Sequence, residues 1–281
     1  MKYLIYISLG IISLSSCTKI IDVELNEGLQ RIVIEGRITD QDEPVSVYIT
    51  RTTDYFNPLD PENVTGATVS IKAESGVFVT LTELGEGHYE TSMIKGENGK
   101  RYYLRVEDGE EVYEASSYLP KKVFMDSLVY APSFFVNPQD TLLGFLLTCW
   151  FTDPAEQTNY YNFALKRTPE PIVDEEEERR GPPSSGNSAI LLNDINFNGR
   201  LSSFNLNRLG LYYINDTIDV QMISIDQPIY EYYDQLAAIT GGGIMFSSSA
   251  PANPMNNFSN GALGYFSAEA IDKKRVIIRP F

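Results

Sequence analysis

The chain has 281 residues, 43% of them hydrophobic and 12% aromatic, enough to bury roughly three quarters of its unfolded surface and too aromatic for a disordered chain. Lys plus Arg number 22 against 38 Asp plus Glu, a formal net charge of -16, which disfavours nucleic acid as a partner because that affinity comes mainly from Lys and Arg displacing counterions. One His and two Cys are too few for a His-rich or four-cysteine zinc site or a multi-disulfide framework, and no cofactor is expected.

The N-terminus reads Met1-Lys2, an apolar run from Tyr3 to Leu14, then Ser15-Ser16-Cys17. A short basic start and an apolar stretch of about 10 residues make a signal peptide, since a membrane-spanning helix takes about 20 apolar residues. Leu14-Ser15-Ser16-Cys17 resembles a bacterial lipobox, in which small residues precede a Cys that is acylated through its thiol and becomes the first residue of the mature chain. Residues 1–16 are therefore expected to be removed and Cys17 to carry the lipid, several acyl chains together giving stable attachment. No later apolar stretch approaches spanning length.

From Ile20 to about Pro120 the pattern has period two. Ile32, Ile34 and Ile38 share a face, as do Val45, Val47 and Ile49, then Ala67, Val69, Ile71 and Ala73, then Tyr102, Leu104 and Val106. Turn sequences such as Glu74-Ser75-Gly76 and Gly85-Glu86-Gly87 punctuate these strands. Residues 17–120 are accordingly predicted to form an antiparallel, Ig-like β-sandwich, with a long loop from Thr53 to Gly66.

Beyond Pro120-Lys121-Lys122 the apolar runs and the loops lengthen, predicting a second β-rich domain over 121–281 and an all-β fold as a whole. Strands are predicted at Asp126 to Tyr130, Leu142 to Phe151, Tyr160 to Arg167, Ser188 to Leu192, Arg200 to Leu206, Thr217 to Ile225, Gly261 to Ser267 and Val276 to Ile278. One short helix is predicted from Pro228, with Ile229, Tyr232, Tyr233 and Leu236 on one stripe and Gly241-Gly242-Gly243 after its end. Ser247 to Asn260 reads as a second long loop. Cys149, in the apolar run from Leu142 to Phe151, has no His, Lys or Arg near it in sequence and reads as a buried inert thiol.

Candidate sites are few. Asp174-Glu175-Glu176-Glu177-Glu178 reads as a solvated loop, because calcium loops place ligands at alternate positions around a turning Gly. Asp194, Asn196 and Asn198, with Gly199 following, have that spacing and form a weak calcium-loop candidate. Position 12 is Asn205 where a bidentate Glu belongs, and Asn198-Gly199 is better read as a hairpin turn. His88 reads as a surface residue at a strand edge. Gly-x-Ser-x-Gly and His-Glu-x-x-His are both absent, so no catalytic residue is assigned and the protein is expected not to be an enzyme. Gly241 to Gly243 follow the predicted helix, where no phosphate can be cradled at a helix N-terminus. Tyr102-Tyr103, Tyr160-Tyr161, Tyr212-Tyr213 and Tyr230 with Tyr232-Tyr233 remain. Neighbouring strand positions face opposite ways, so such pairs expose tyrosine, which suits glycan, peptide or protein contact.

Taken in order, the lipobox, Val64-Thr65-Gly66-Ala67-Thr68-Val69-Ser70-Ile71, Gly87-His88-Tyr89, Tyr102-Tyr103-Leu104-Arg105-Val106, Trp150-Phe151-Thr152-Asp153-Pro154 with Tyr160-Tyr161, Asp194 to Gly199, and Asn253-Pro254 leading to Ser259-Asn260-Gly261-Ala262-Leu263-Gly264-Tyr265-Phe266 resemble the Bacteroidota lipoproteins that carry domain of unknown function 4249. That resemblance implies a lipid-anchored outer-membrane protein, a companion of a TonB-dependent receptor, and carries over no catalytic residues. Thr18-Lys19-Ile20-Ile21-Asp22 lack a dense acidic surface-export signal, which leaves the periplasmic and cell-surface faces both open. A structural or adhesive envelope protein, binding glycan or protein polymers through a tyrosine-rich surface, is the alternative expectation.

Overall fold

A computed structural model describes residues 30–53, 61–136, 141–168, 190–207, 211–239 and 253–280. The leader, Cys17, the acidic run 174–178 and Gly241 to Gly243 lie outside the described residues, as do parts of both expected long loops. The first half supplies β1 (Ile32–Thr39), β2 (Val45–Arg51), β3 (Glu62–Asn63), β4 (Thr68–Ala73), β5 (Val79–Thr80), β6 (Thr82–Gly85), β7 (His88–Thr91), β8 (Lys100–Asp108) and β9 (Glu111–Leu119). The second half supplies β10 (Met125–Val136), β11 (Thr141–Thr152), β12 (Tyr160–Thr168), β13 (Ile190–Asn193), β14 (Leu201–Asn205), β15 (Thr217–Ile225), the helix α1 (Gln227–Ile239) and β16 (Leu263–Ile277). Among the described residues the fold is all-β with one short helix, as the periodicity predicts.

These strands build three sheets. A long sheet runs β13-β12-β15-β16-β1-β2-β7-β6, with β3 added beside β2. A four-stranded sheet β5-β4-β8-β9 and a three-stranded sheet β10-β11-β14 complete the set. Ile34, Val47 and Phe266 pack from the long sheet against Val69, Ile71, Leu104 and Val106 of the four-stranded sheet. Phe163, Val220, Met222 and Ile278 pack from the long sheet against Leu147, Cys149 and Phe151 of the three-stranded sheet. Side chains alternate across a strand, and Phe266 of the first core and Val276, packed against the second, have the same parity along β16, so the two smaller sheets lie side by side on one face of the long one. The opposite face receives α1, whose Ile229 packs on Ile223, Ile225 and Ile271.

The two cores draw mainly on residues either side of Pro120, and both also draw on the C-terminal strand. Within the long sheet β16 lies parallel to β1, with Ile34 opposite Gly264 and Ile38 opposite Ala268, and antiparallel to β15 through its other end. Ala262, Phe266, Ala268 and Ala270 belong to the first core, and Val276 and Ile278 pack in the second. One strand thus completes both sandwiches, and the first is not purely antiparallel. Gly264 permits the close approach to β1: its φ is +93°, and an added Cβ would lie 2.1 Å from the Ile34 carbonyl oxygen.

The helix starts where the sequence places it. The Asp226 carboxylate receives the amide of Ile229, an N-cap interaction, and also the Tyr118 amide at 2.8 Å and the Ser117 hydroxyl at 3.1 Å. It therefore fastens α1 to β9 of the first sandwich. Burial raises the pKa of this carboxyl in spite of the three donors. Among the described residues no helix is long and apolar enough to cross a membrane.

Candidate functional site

The outward face of the long sheet, beside α1, gathers much of the tyrosine that the sequence leaves without a role. Register sets two parallel rows across β16, β1, β2 and β7. The first is Tyr265, Glu35, Tyr48 and His88, and the second is Ser267, Arg37, Ser46 and Glu90. At the usual strand spacing the rows span roughly 14 Å. Helix α1 extends the strip sideways: the Tyr232 and Tyr233 rings lie 5.1 and 5.3 Å from that of Tyr265, in tilted and edge-on arrangements. On the other flank of the helix Tyr160 and Tyr230 are in contact, with ring centroids 5.0 Å apart.

Charge along the strip is held by pairing. Arg37 Nε donates to Glu269 Oε2 at 2.7 Å, and Ser267 Oγ donates to Glu269 Oε1 at 3.0 Å, so the nearly buried Glu269 is fixed from two sides. Burial opposes the Arg37 charge, and the attraction of Glu269 outweighs it, leaving the guanidinium pKa raised. Tyr232 is pushed up to about 12 by burial, with Glu35 adding to the effect. Tyr233 and Tyr265 are raised mainly by burial as well. These phenols remain neutral hydrogen-bonding groups at any physiological pH.

His88, expected at a strand edge, instead lies within the sheet, half-buried between β2 and β6. Its ring stacks on Tyr48 at 4.2 Å with planes 7° apart, its Nε2 is 2.9 Å from Ser46 Oγ, and Glu90 is 3.0 Å away. Tyr48 keeps 49% of its surface exposed. A stacked, oriented aromatic with an open face can bury area on contact at little entropic cost. Taken together, the strip offers phenol hydroxyls, carboxylates and a fixed guanidinium on a broad face, which is chemistry for binding.

The other sequence candidates sit elsewhere. Asp194 turns inward, 1% exposed, and accepts the Asn159 amide at 2.7 Å, whereas Asn196 and Asn198 are exposed. The proposed ligands thus do not surround a common point. The expected Asn198-Gly199 hairpin does not form either: β13 pairs with β12 and β14 with β11, so the turn carries the chain from one sheet to another. Gly199 has φ +71°, and its Cα packs so near Ala155 that a Cβ would lie 2.7 Å from the alanine methyl. No group of three or more His, Cys, Asp or Glu side chains is set to hold a metal among the described residues.

Sequence reasoning missed the reason for that inward turn. Asp153 and Asp194, 2% and 1% exposed, share the side-chain amide of Asn159, and Asp153 also receives the Tyr161 hydroxyl and the Gly199 amide. This buried cluster is satisfied from within and locks the turn. The tyrosine pairs divide as expected, with Tyr102, Tyr161 and Tyr212 fully buried and Tyr103, Tyr160 and Tyr213 facing outward in part. Cys149 is buried and unpaired, and burial pushes its thiol up to about 12.

A comparison with protein-family models matches residues 18–275 to the family described as Domain of unknown function (DUF4249). The chain belongs to that family. No curated protein matches it. For this DUF4249 protein the match runs through both sandwiches and into β16 as far as residue 275, so the strip on the long sheet lies wholly within the family's domain.

Proposed function

We propose that this DUF4249 chain is a lipid-anchored, non-enzymatic protein of the outer membrane that serves as an accessory binding module for a TonB-dependent receptor, with the tyrosine strip as its docking face. The observation that carries the reading is the strip itself. Tyr48, Tyr233 and Tyr265, backed by the buried Tyr232, collect beside the Arg37–Glu269 pair on one broad face, and Tyr and Arg are among the side chains that contribute most at protein interfaces. The lipobox at Cys17 supports the anchoring, and the family resemblance supports the partner. Acidity fits this placement: a chain of net charge -16 is repelled by an anionic membrane surface, so its position there rests on lipid.

The test is crosslinking of the full-length protein in native membranes followed by purification. A β-barrel receptor should be recovered with the wild-type protein and several-fold less with the exposed-face variant Tyr48→Ala/Glu35→Lys. Failure to recover any such receptor overturns the partnership. Mass spectrometry of the mature N-terminus tests the anchor, and an unmodified residue at Cys17 overturns it.

A further inference from the structure

A second open site lies on the outward face of the four-stranded sheet, across the thickness of the first sandwich from the tyrosine strip. Its floor is built by register. Lys72 of β4, Tyr103 of β8 and Ser116 of β9 form one row, and Ser70, Arg105 and Glu114 form the next. One wall is the segment from Asn256 to Ser259, held against β9 by the bridge between Ala115 and Phe258 and by the Ser259 hydroxyl, which accepts the Glu114 amide at 2.9 Å. The groove measures about 660 Å³, within the range of small-molecule sites.

Its chemistry is specific. The Lys72 ammonium sits 4.7 Å from the Phe78 ring centroid and 5.4 Å from that of Tyr103, and it forms no ion pair with any described carboxylate. Two rings position this cation, and no described carboxylate neutralises it. Beside it Arg105 is oriented by Glu107 at 2.7 Å and Glu114 at 3.5 Å. Phe78 remains 42% exposed. Flat aromatic surface takes the C–H face of a pyranose, planar guanidinium and carboxylate groups take neighbouring hydroxyls, and an uncompensated ammonium takes a carboxylate.

We infer that this groove binds a saccharide bearing a carboxylate, of the uronic acid class, with Lys72 pairing its carboxylate and Tyr103 and Phe78 forming the platform for its ring. The groove and the tyrosine strip lie on opposite faces of the sandwich, so a protein partner and a saccharide can be held together, and either can be lost without the other.

Calorimetry of the full-length protein in detergent, with trigalacturonate as ligand and cellotriose as neutral control, tests this. Trigalacturonate should bind about tenfold or more tightly than cellotriose, weaken with added salt, and lose about tenfold in affinity in Lys72→Met, the size expected for one charge-assisted contact. Tyr103→Ala should abolish binding of both sugars. Both side chains are on the outward face, so thermal unfolding of the variants should match the wild type. Absence of heat with trigalacturonate, equal binding of the neutral sugar, or unchanged affinity in Lys72→Met overturns the inference. Binding of an oligoglutamate peptide as tight as that of trigalacturonate does so too, since the carboxylate alone would then be the determinant.

Discussion

Ser117 and Asp226 stand 109 residues apart in sequence, and the Ser117 hydroxyl donates to the Asp226 carboxylate at 3.1 Å inside the protein. The same carboxylate caps α1 and receives the Tyr118 amide, so three donors from two parts of the fold lose their partner if it is removed. Asp226→Ala should lower the unfolding free energy by about 2–4 kcal/mol, combining a lost N-cap with hydrogen bonds to a charged acceptor, and Ser117→Ala by about 1 kcal/mol. Urea titrations of the two variants check the ranking.

The raised pKa of Asp226 gives a pH signature. Its carboxyl ionises more readily unfolded, at the ordinary 3.8, than folded. The pH-dependent part of its contribution is therefore complete below 3.8 and is lost as pH rises through the higher folded value. The stability difference between wild type and Asp226→Asn should shrink over that window and level off above it. A difference that grows with pH across the same interval contradicts the assignment.

Gly264 lets two strands approach more closely than a side chain allows. With φ at +93° and the Ile34 carbonyl in the way, Gly264→Ala should cost about 3 kcal/mol or more, through backbone strain and a broken β1–β16 pairing. Circular dichroism melts will show it. For the same reason a fragment of residues 30–120, lacking β16, should give the collapsed proton NMR spectrum of an unfolded chain.

The Cys149 thiol, pushed up to about 12 by burial, should not react with iodoacetamide at mildly alkaline pH while the protein is folded. In a Cys17→Ser variant, one equivalent should react once concentrated guanidinium unfolds the chain. Rapid labelling of the native protein would show that the β11 face opens readily.

Tyrosine titration should be two-phased. An unperturbed phenol ionises near 10, whereas Tyr212 and Tyr232 are pushed up to about 12 and Tyr89, Tyr102 and Tyr161 are also raised by burial. Because the folded values lie above the unfolded ones, the stability tied to these groups is complete below 10 and disappears above it. Ultraviolet difference spectra should therefore show the second phase coinciding with alkaline unfolding.

Much of this architecture is legible in the sequence because half-buried strands alternate. Ile32, Ile34 and Ile38, and Val45, Val47 and Ile49, all face the core as their spacing predicts, and the helix begins one residue before Pro228. The spacing fails at β16, predicted as two short strands. Ala268 to Arg275 carry little β propensity, but Ala268 and Ala270 are small where the other sheet comes close, and the Ala268 amide donates to Ser117 Oγ. Tertiary packing overrides local preference there. Strand β10 runs on past Tyr130 through Pro132 because it is the edge of its sheet, where a missing amide donor is tolerated. The tyrosine strip is only half visible: adjacent Tyr pairs announce exposure, but Tyr48, His88 and Tyr265 fall into one row through register between strands far apart in sequence. The buried cluster at Asp153, Asn159 and Asp194 had no local signal.

Because the first sandwich borrows its central neighbour for β1 from residues 263–277, the amino-terminal half of the chain is the last to be finished. Its part of the long sheet lacks that neighbour until β16 has been delivered, which makes long-range pairing the slow event. A premature stop late in the message should damage the beginning of the protein as severely as its end.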